Sequence, residues 1–162
     1  MKTPVYLRLV ILMMLSAVSG VLKAQTSPAA FQTLAAPNPW SERQLIGPAV
    51  LASTIGTPNS GGALIFNIGA VEDIKGAIRI GPVSKKENAE IFKARLKSLP
   101  PGTEIVIYCG CCPFAKCPNI RPAFILLQKL GFTHIRVLDL PSSLKKDWIE
   151  KGYPISRVAS TN

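Results

Sequence analysis

The chain has 162 residues, a formal net charge of +10, four cysteines and a single histidine, enough for one domain with its own core. Its lysines and arginines are scattered and only 7% of residues are aromatic, so the basic stripe with interleaved aromatics of a nucleic-acid binder is missing, and the positive field suits a small anion instead. All four cysteines lie between Cys109 and Cys117, which is too crowded to staple distant parts of a fold and points to local redox, metal or nucleophilic chemistry.

In chain order, Lys2 and Arg8 give a positive start, Leu9 to Leu22 is mostly apolar, and Ala24 is a small residue suited to cleavage. This is the pattern of a secretory signal peptide over residues 1–24. The apolar run is broken by Ser16, Ser19 and Gly20 and is short for a membrane span. The expectation is an exported protein, periplasmic or secreted, monomeric and with no membrane attachment after cleavage. Loss of Lys2, Arg8 and Lys23 would lower the charge from +10 to +7. Residues 25–44, rich in Ala, Pro, Ser and Thr, read as a tether and lead-in segment, with Trp40 packing on the edge of the domain. Residues 45–156 form that domain, and 157–162 a tail.

Within the domain, apolar residues at 46, 50, 51 and 55 predict a helix over Leu45–Ile55, with Pro48 near its start. Thr57 to Gly62 is a turn cluster. Ala63–Ile68 and Ala77–Ile80 read as strands, the second stopped by Gly81 and Pro82. Ser84 followed by Glu87 predicts a capping box, and Ile91, Phe92, Leu96 and Leu99 predict an amphipathic helix face. After Pro100-Pro101-Gly102, the β-branched and aromatic run Ile105–Tyr108 predicts a buried strand that ends at Cys109. Pro122 opens an apolar run, Ala123–Leu130, that stops at Gly131, which is how a buried helix is bounded. Ile135–Leu138 is a further strand, and Leu144–Lys151 a last helix with Trp148 facing inward. The order predicts an α/β sheet covered by helices.

Strand, cysteine loop and helix place a thiol beyond the carboxyl end of a strand, where ligands bind in open α/β sheets. A catalytic cysteine works as thiolate, and a free one has a pKa near 8.5. The helix start at Pro122, loop N–H groups and Arg121 are the groups that would stabilise a negative Cys109 sulfur and an anionic substrate. Other readings of the same residues stand beside this one. Cys109 could be a buried structural thiol. Cys109-Gly110-Cys111-Cys112 contains the CxxC of a thioredoxin-like oxidoreductase, with Tyr153-Pro154 downstream where that family places a proline. Cys109, Cys111, Cys112 and Cys117 could hold copper(I) or zinc in a non-catalytic module. A disulfide such as Cys112 to Cys117 could simply stiffen the loop.

Over residues 45–156 the chain resembles a rhodanese-like domain of the sulfurtransferase family. ALIFNIG, DIKGAIRIGP, IVIYCG, IRPAFILLQKLGF, HIRVLDLP and DWIEKGYPIS stand in the family's order. The resemblance implies an α/β fold with an open, mainly parallel sheet flanked by helices. It implies that Cys109 takes up sulfane sulfur, for example from thiosulfate, as a persulfide and passes it to cyanide or a thiol. It places substrate binding on Gly110, Cys111, Cys112 and Arg121, with a small anionic sulfur compound and a thiol acceptor as partners and with no metal or cofactor. Three departures stand out. Arg121 lies twelve positions beyond Cys109, where the family's usual loop has its arginine five beyond. Asn67 replaces the family's aspartate, and Lys75 falls where histidine is common. The enlarged loop also gains extra thiols, among which Cys112 and Cys117 are candidate auxiliary redox residues, since a second thiol can attack a persulfide.

Overall fold

A computed structural model describes residues 37–57 and 62–156. The expected leader 1–24, most of the tether, the middle of the turn at 57–62 and the tail 157–162 lie outside the described residues. No helix among the described residues is long and apolar enough to cross a membrane.

Five strands form one all-parallel sheet: β1 (Leu45–Ile46), β2 (Leu64–Asn67), β3 (Ile78–Arg79), β4 (Ile105–Tyr108) and β5 (Ile135–Leu138), in the spatial order β1-β5-β4-β2-β3. Three helices cover it: α1 (Pro48–Thr54), α2 (Lys86–Lys97) and α3 (Ile120–Lys129). This is the open, parallel α/β sheet flanked by helices that the resemblance implies.

β4 is the central strand, and all four of its residues are buried, as expected of a parallel strand covered on both faces. The pleat alternates its side chains. Ile105, Ile107 and then Cys109 face the layer built by Phe92 and Leu96 of α2 and by Ile120, Ala123, Phe124 and Leu127 of α3. Val106 and Tyr108 face the opposite layer, with Leu51 of α1, Leu144 and Trp148. That alternation puts the Cys109 side chain on the α3 side of the sheet. From β2 the chain leaves toward β3, whereas from β4 it leaves through α3 toward β5. The carboxyl ends of β2 and β4 therefore flank a topological switch point, the place where open α/β sheets bind their ligands.

Several local expectations are corrected. Leu45 and Ile46 belong to a strand, paired with Val137 and Leu138, not to the helix predicted over 45–55. Gly47 precedes a proline and is extended, with φ −70° and ψ 150°. A residue before proline is pushed out of the helical region, so the helix starts at Pro48. The capping box at Ser84 does not form. The helix begins at Lys86, and the Ser84 N–H donates to Asn119 Oδ1 at 2.9 Å. Ile91 is 50% exposed, so Phe92 and Leu96 carry the buried stripe of α2. The last helix shortens to a five-residue π-helical turn, Lys145–Ile149, with Trp148 fully buried as expected and its indole N–H donating to Pro154 O at 3.0 Å.

The lead-in residues 37–44 pack against the domain. Trp40 is buried, edge-on to Phe124 with ring centroids 5.7 Å apart, and it also meets Phe114.

Candidate active site

Cys109 follows the last residue of β4, and its position is set by contacts from both neighbouring turns. A Cβ on Gly69, just beyond β2, would overlap the Cys109 carbonyl oxygen and lie 2.8 Å from Cys109 Sγ. Only glycine lets the β2 turn approach the sulfur this closely. The turn itself is built by Asn67, which is fully buried. Its Oδ1 accepts from the Gly69 N–H at 3.0 Å, and its Nδ2 donates to Val71 O at 2.9 Å and to Asp73 Oδ1 at 2.8 Å. Asp73 in turn accepts from Arg79 Nε at 2.8 Å. An amide can both donate and accept, so Asn67 closes this turn in a way an aspartate could not. Gly110 has φ +72°, and a Cβ there would lie 2.7 Å from Leu144 Cβ. Its carbonyl accepts from the Leu144 N–H at 2.9 Å. Gly110 thus contributes a sharp turn and a tie to the last helical turn.

Cys109 is 1% exposed, yet its sulfur is ringed by polar partners. Asn119 Nδ2 donates to Sγ at 3.2 Å, and Cys111 Sγ stands 3.2 Å away. The sulfurs of Cys109, Cys111 and Cys117 all lie within 4.8 Å of one another. The Cys117 thiol is the largest influence holding the Cys109 pKa down to about 5. Burial opposes it, and the Asn119 amide, the Cys111 N–H and the Cys111 thiol assist. Such a group is almost wholly thiolate at neutral pH. The neighbours shift the other way. Burial, together with Cys109 and Cys112, pushes Cys111 up to about 12, and Cys117 is raised chiefly by its role as proton donor to Cys109. The cluster of three sulfurs thus carries one negative charge, and it sits on Cys109 with Cys111 and Cys117 protonated beside it.

The expected cradle of loop amides around Cys109 is reorganised. Helix α3 begins at Ile120, not at Pro122. The N–H groups at its start, those of Asn119 and Ile120, approach Cys117, while one backbone N–H, that of Cys111, serves Cys109. Cys117 is therefore the relay between the positive helix end and the thiolate. The hydrogen bonds described for Arg121 run to the lead-in segment, to Pro37 O at 2.7 Å and Asn38 Oδ1 at 3.1 Å, and its guanidinium lies 5.9 Å from the Trp40 ring centroid. Cys112 stands apart from the three-sulfur cluster, half-buried, with its Sγ 3.5 Å from Cys111 Sγ. All four thiols are free, so the alternative of a loop-stiffening Cys112 to Cys117 disulfide is not formed.

No protein-family model matches the chain, and no curated protein matches it. Solved structures do. The Alr3790 protein from Anabaena sp. is similar over 70% of this chain and 93% of its own, at 21% identity and a TM-score of 0.49. EanB in complex with hercynine is similar at 18% identity and a TM-score of 0.51, over 70% of this chain and 27% of EanB. An EanB cysteine persulfide in a tetrahedral intermediate state with ergothioneine gives the same identity and TM-score over 28% of its length. The chain thus spans little more than a quarter of EanB, and what is shared is the fold.

The CxxC pair of the thioredoxin-like alternative is not the pair that clusters: the sulfurs gathered around Cys109 are those of Cys111 and Cys117, and Cys112 lies outside the group. Two residues of the site escaped sequence reasoning. Asn119 and Gly69 carry no motif of their own. The sole hint for Asn119 was its place two residues before the arginine of the loop, and for Gly69 its place just past a strand end.

Proposed function

We propose that this protein is a sulfurtransferase in which the Cys109 thiolate takes sulfane sulfur from a small donor such as thiosulfate and passes it to a thiol or cyanide. The thiolate attacks the outer sulfur of the donor, the donor's S–S bond breaks and sulfite leaves, with the Cys109 persulfide left behind. The observation that carries the reading is the Cys109 sulfur, held down to about 5 by Cys117, Asn119 and Cys111 at the carboxyl end of the central strand. The same donors suit a persulfide anion, which places its charge within reach of the same groups. EanB, a protein of similar fold, has been captured as a cysteine persulfide, which supports the chemistry by analogy. Arg121, assigned to the substrate by the family resemblance, is proposed here to anchor the lead-in segment first. Export is part of the proposal and rests on the leader pattern of residues 1–24: a basic start, an apolar run and a small residue at the cleavage position.

Intact mass after thiosulfate treatment tests it. The expected result is a gain of one sulfur atom on the wild type and none on Cys109→Ser. The three clustered sulfurs also meet the donor count of a soft-metal site. Protein purified under reducing conditions with bound copper or zinc, and with no sulfur gain, would replace the sulfurtransferase reading by the metal module.

A further inference from the structure

Cys109 is the reactive sulfur, yet it is the least accessible of the four. On its inner sides stand Gly69, the buried amide of Asn119 and the buried Cys117. On the remaining side stands Cys111, which is exposed, with its Sγ 3.2 Å from Cys109 Sγ. Cys112 continues the row outward at 3.5 Å from Cys111. The sulfurs therefore run from the core to the surface, and the exposed one is within bonding reach of the buried one. A thiol acceptor carried by a peptide or protein cannot bring its own sulfur to Cys109 through that packing, but it can meet Cys111.

We propose that Cys111 is the exit thiol of the site: sulfane sulfur held on Cys109 passes to Cys111, and Cys111 delivers it to a thiol acceptor of peptide or protein size. This rests on the sulfur-transfer reading of Cys109. In the step, Cys111 Sγ attacks the outer sulfur of the Cys109 persulfide. The bond from Cys109 Sγ to that sulfur breaks, and a bond from Cys111 Sγ to it forms. The persulfide anion and a Cys111 thiol become a Cys109 thiolate and a Cys111 persulfide carrying the proton. The number of protons and the net charge are unchanged, and the transferred sulfur keeps its oxidation state, so no reductant is consumed. The charge returns to Cys109, where its donors already stand, and Cys109 is ready for a second load. Cys117 takes no part in the transfer and serves as a positioning residue, donating to the thiolate at each return.

The test is single-turnover loading with limiting thiosulfate, alkylation, and fragmentation mass spectrometry to place the extra sulfur. In the wild type, sulfur is expected first on Cys109 and then on Cys111. In Cys111→Ser it stays on Cys109. Unloading to a cysteine-containing peptide, normalised to the sulfur loaded, is expected to slow about tenfold or more in that variant. Wild-type sulfur found on Cys109 alone, unloading of Cys111→Ser at the wild-type rate, or free sulfide together with a Cys109–Cys111 disulfide each overturns the exit role. The wild-type mapping stands on its own if the variant fails to fold. Absence of sulfur from every protein instead overturns the underlying sulfur-transfer reading, which is a separate and distinguishable failure.

Discussion

Asn119 offers the sharpest perturbation of the site. Its amide does two things at once: Nδ2 donates to Cys109 Sγ at 3.2 Å and Oδ1 accepts from the Ser84 N–H at 2.9 Å. It is 4% exposed, so water cannot replace either bond cheaply. A hydrogen bond to a charged group contributes roughly 1.5–3 kcal/mol, and about 1.4 kcal/mol corresponds to one pH unit of pKa. Asn119→Ala should therefore move the Cys109 thiol from about 5 to between about 6 and 7. Asn119→Asp keeps the acceptor for Ser84 but sets a second negative charge beside the thiolate, so it should move the thiol further up. The assay is the pH dependence of Cys109 alkylation, with the modified residue identified by mass. In the wild type the rate climbs with pH through about 5 and is flat above; in the variants the flat region starts at higher pH. Thermal melting runs alongside, because Asn119→Ala also loses the hydrogen bond from the Ser84 N–H, a loss of about 0.5–1.5 kcal/mol. An Asn119→Asp protein that melts like the wild type and keeps its alkylation profile would falsify the idea that this amide holds the charge.

Other outcomes follow from the same geometry. Cys117→Ala removes the largest influence on Cys109 and should raise its pKa more than Asn119→Ala does, whereas Cys117→Ser, which keeps a proton donor, should restore part of the loss in the same alkylation assay. Gly69→Ala drives a methyl group into the Cys109 carbonyl and to 2.8 Å from its sulfur; since backbone cannot yield, urea unfolding should show a loss of about 1–3 kcal/mol together with slower alkylation. Asn67→Asp turns the donor bond to Asp73 Oδ1 into a contact between carboxylates. The protein should lose about 1–3 kcal/mol at neutral pH and regain part of it as pH falls and one carboxylate is protonated; equal destabilisation at both pH values would remove charge repulsion as the cause. Arg121→Ala should free the lead-in segment, seen as a red shift of Trp40 emission and earlier proteolysis within residues 37–44. A fall in thiosulfate loading with Trp40 emission unchanged would instead return Arg121 to the substrate-binding role that the family resemblance gives it.

The legible part of the site was its chain-local part. Ile105–Tyr108 could only be a buried strand, because four adjacent β-branched or aromatic residues find partners on both faces of a parallel sheet. The thiol at its end and the apolar helix after it follow from the same run of residues, and Trp148 was read correctly as an inward anchor. The illegible part was pairing across the chain. Leu45 and Ile46 look helical beside Val50 and Leu51, and only β5 lying alongside makes them a strand. Ser84 matches a cap, but its N–H is claimed by Asn119, 35 positions away in sequence. Arg121 matches the family's anion ligand, yet the return of residues 37 and 38 over α3 gives its guanidinium carbonyl partners there.

The amino-acid sequence alone determined the α/β class, the strand that carries Cys109 and the crowding of thiols behind it, because hydrophobic period and cysteine spacing are properties of neighbours along the chain. Tertiary structure decided which sulfur bears the charge and which groups hold it there. Thiol acidity depends on donors within a few ångströms, and those donors, Asn119 and Cys117, together with the glycine that admits the sulfur, meet Cys109 only when β2, β4 and the start of α3 are brought together.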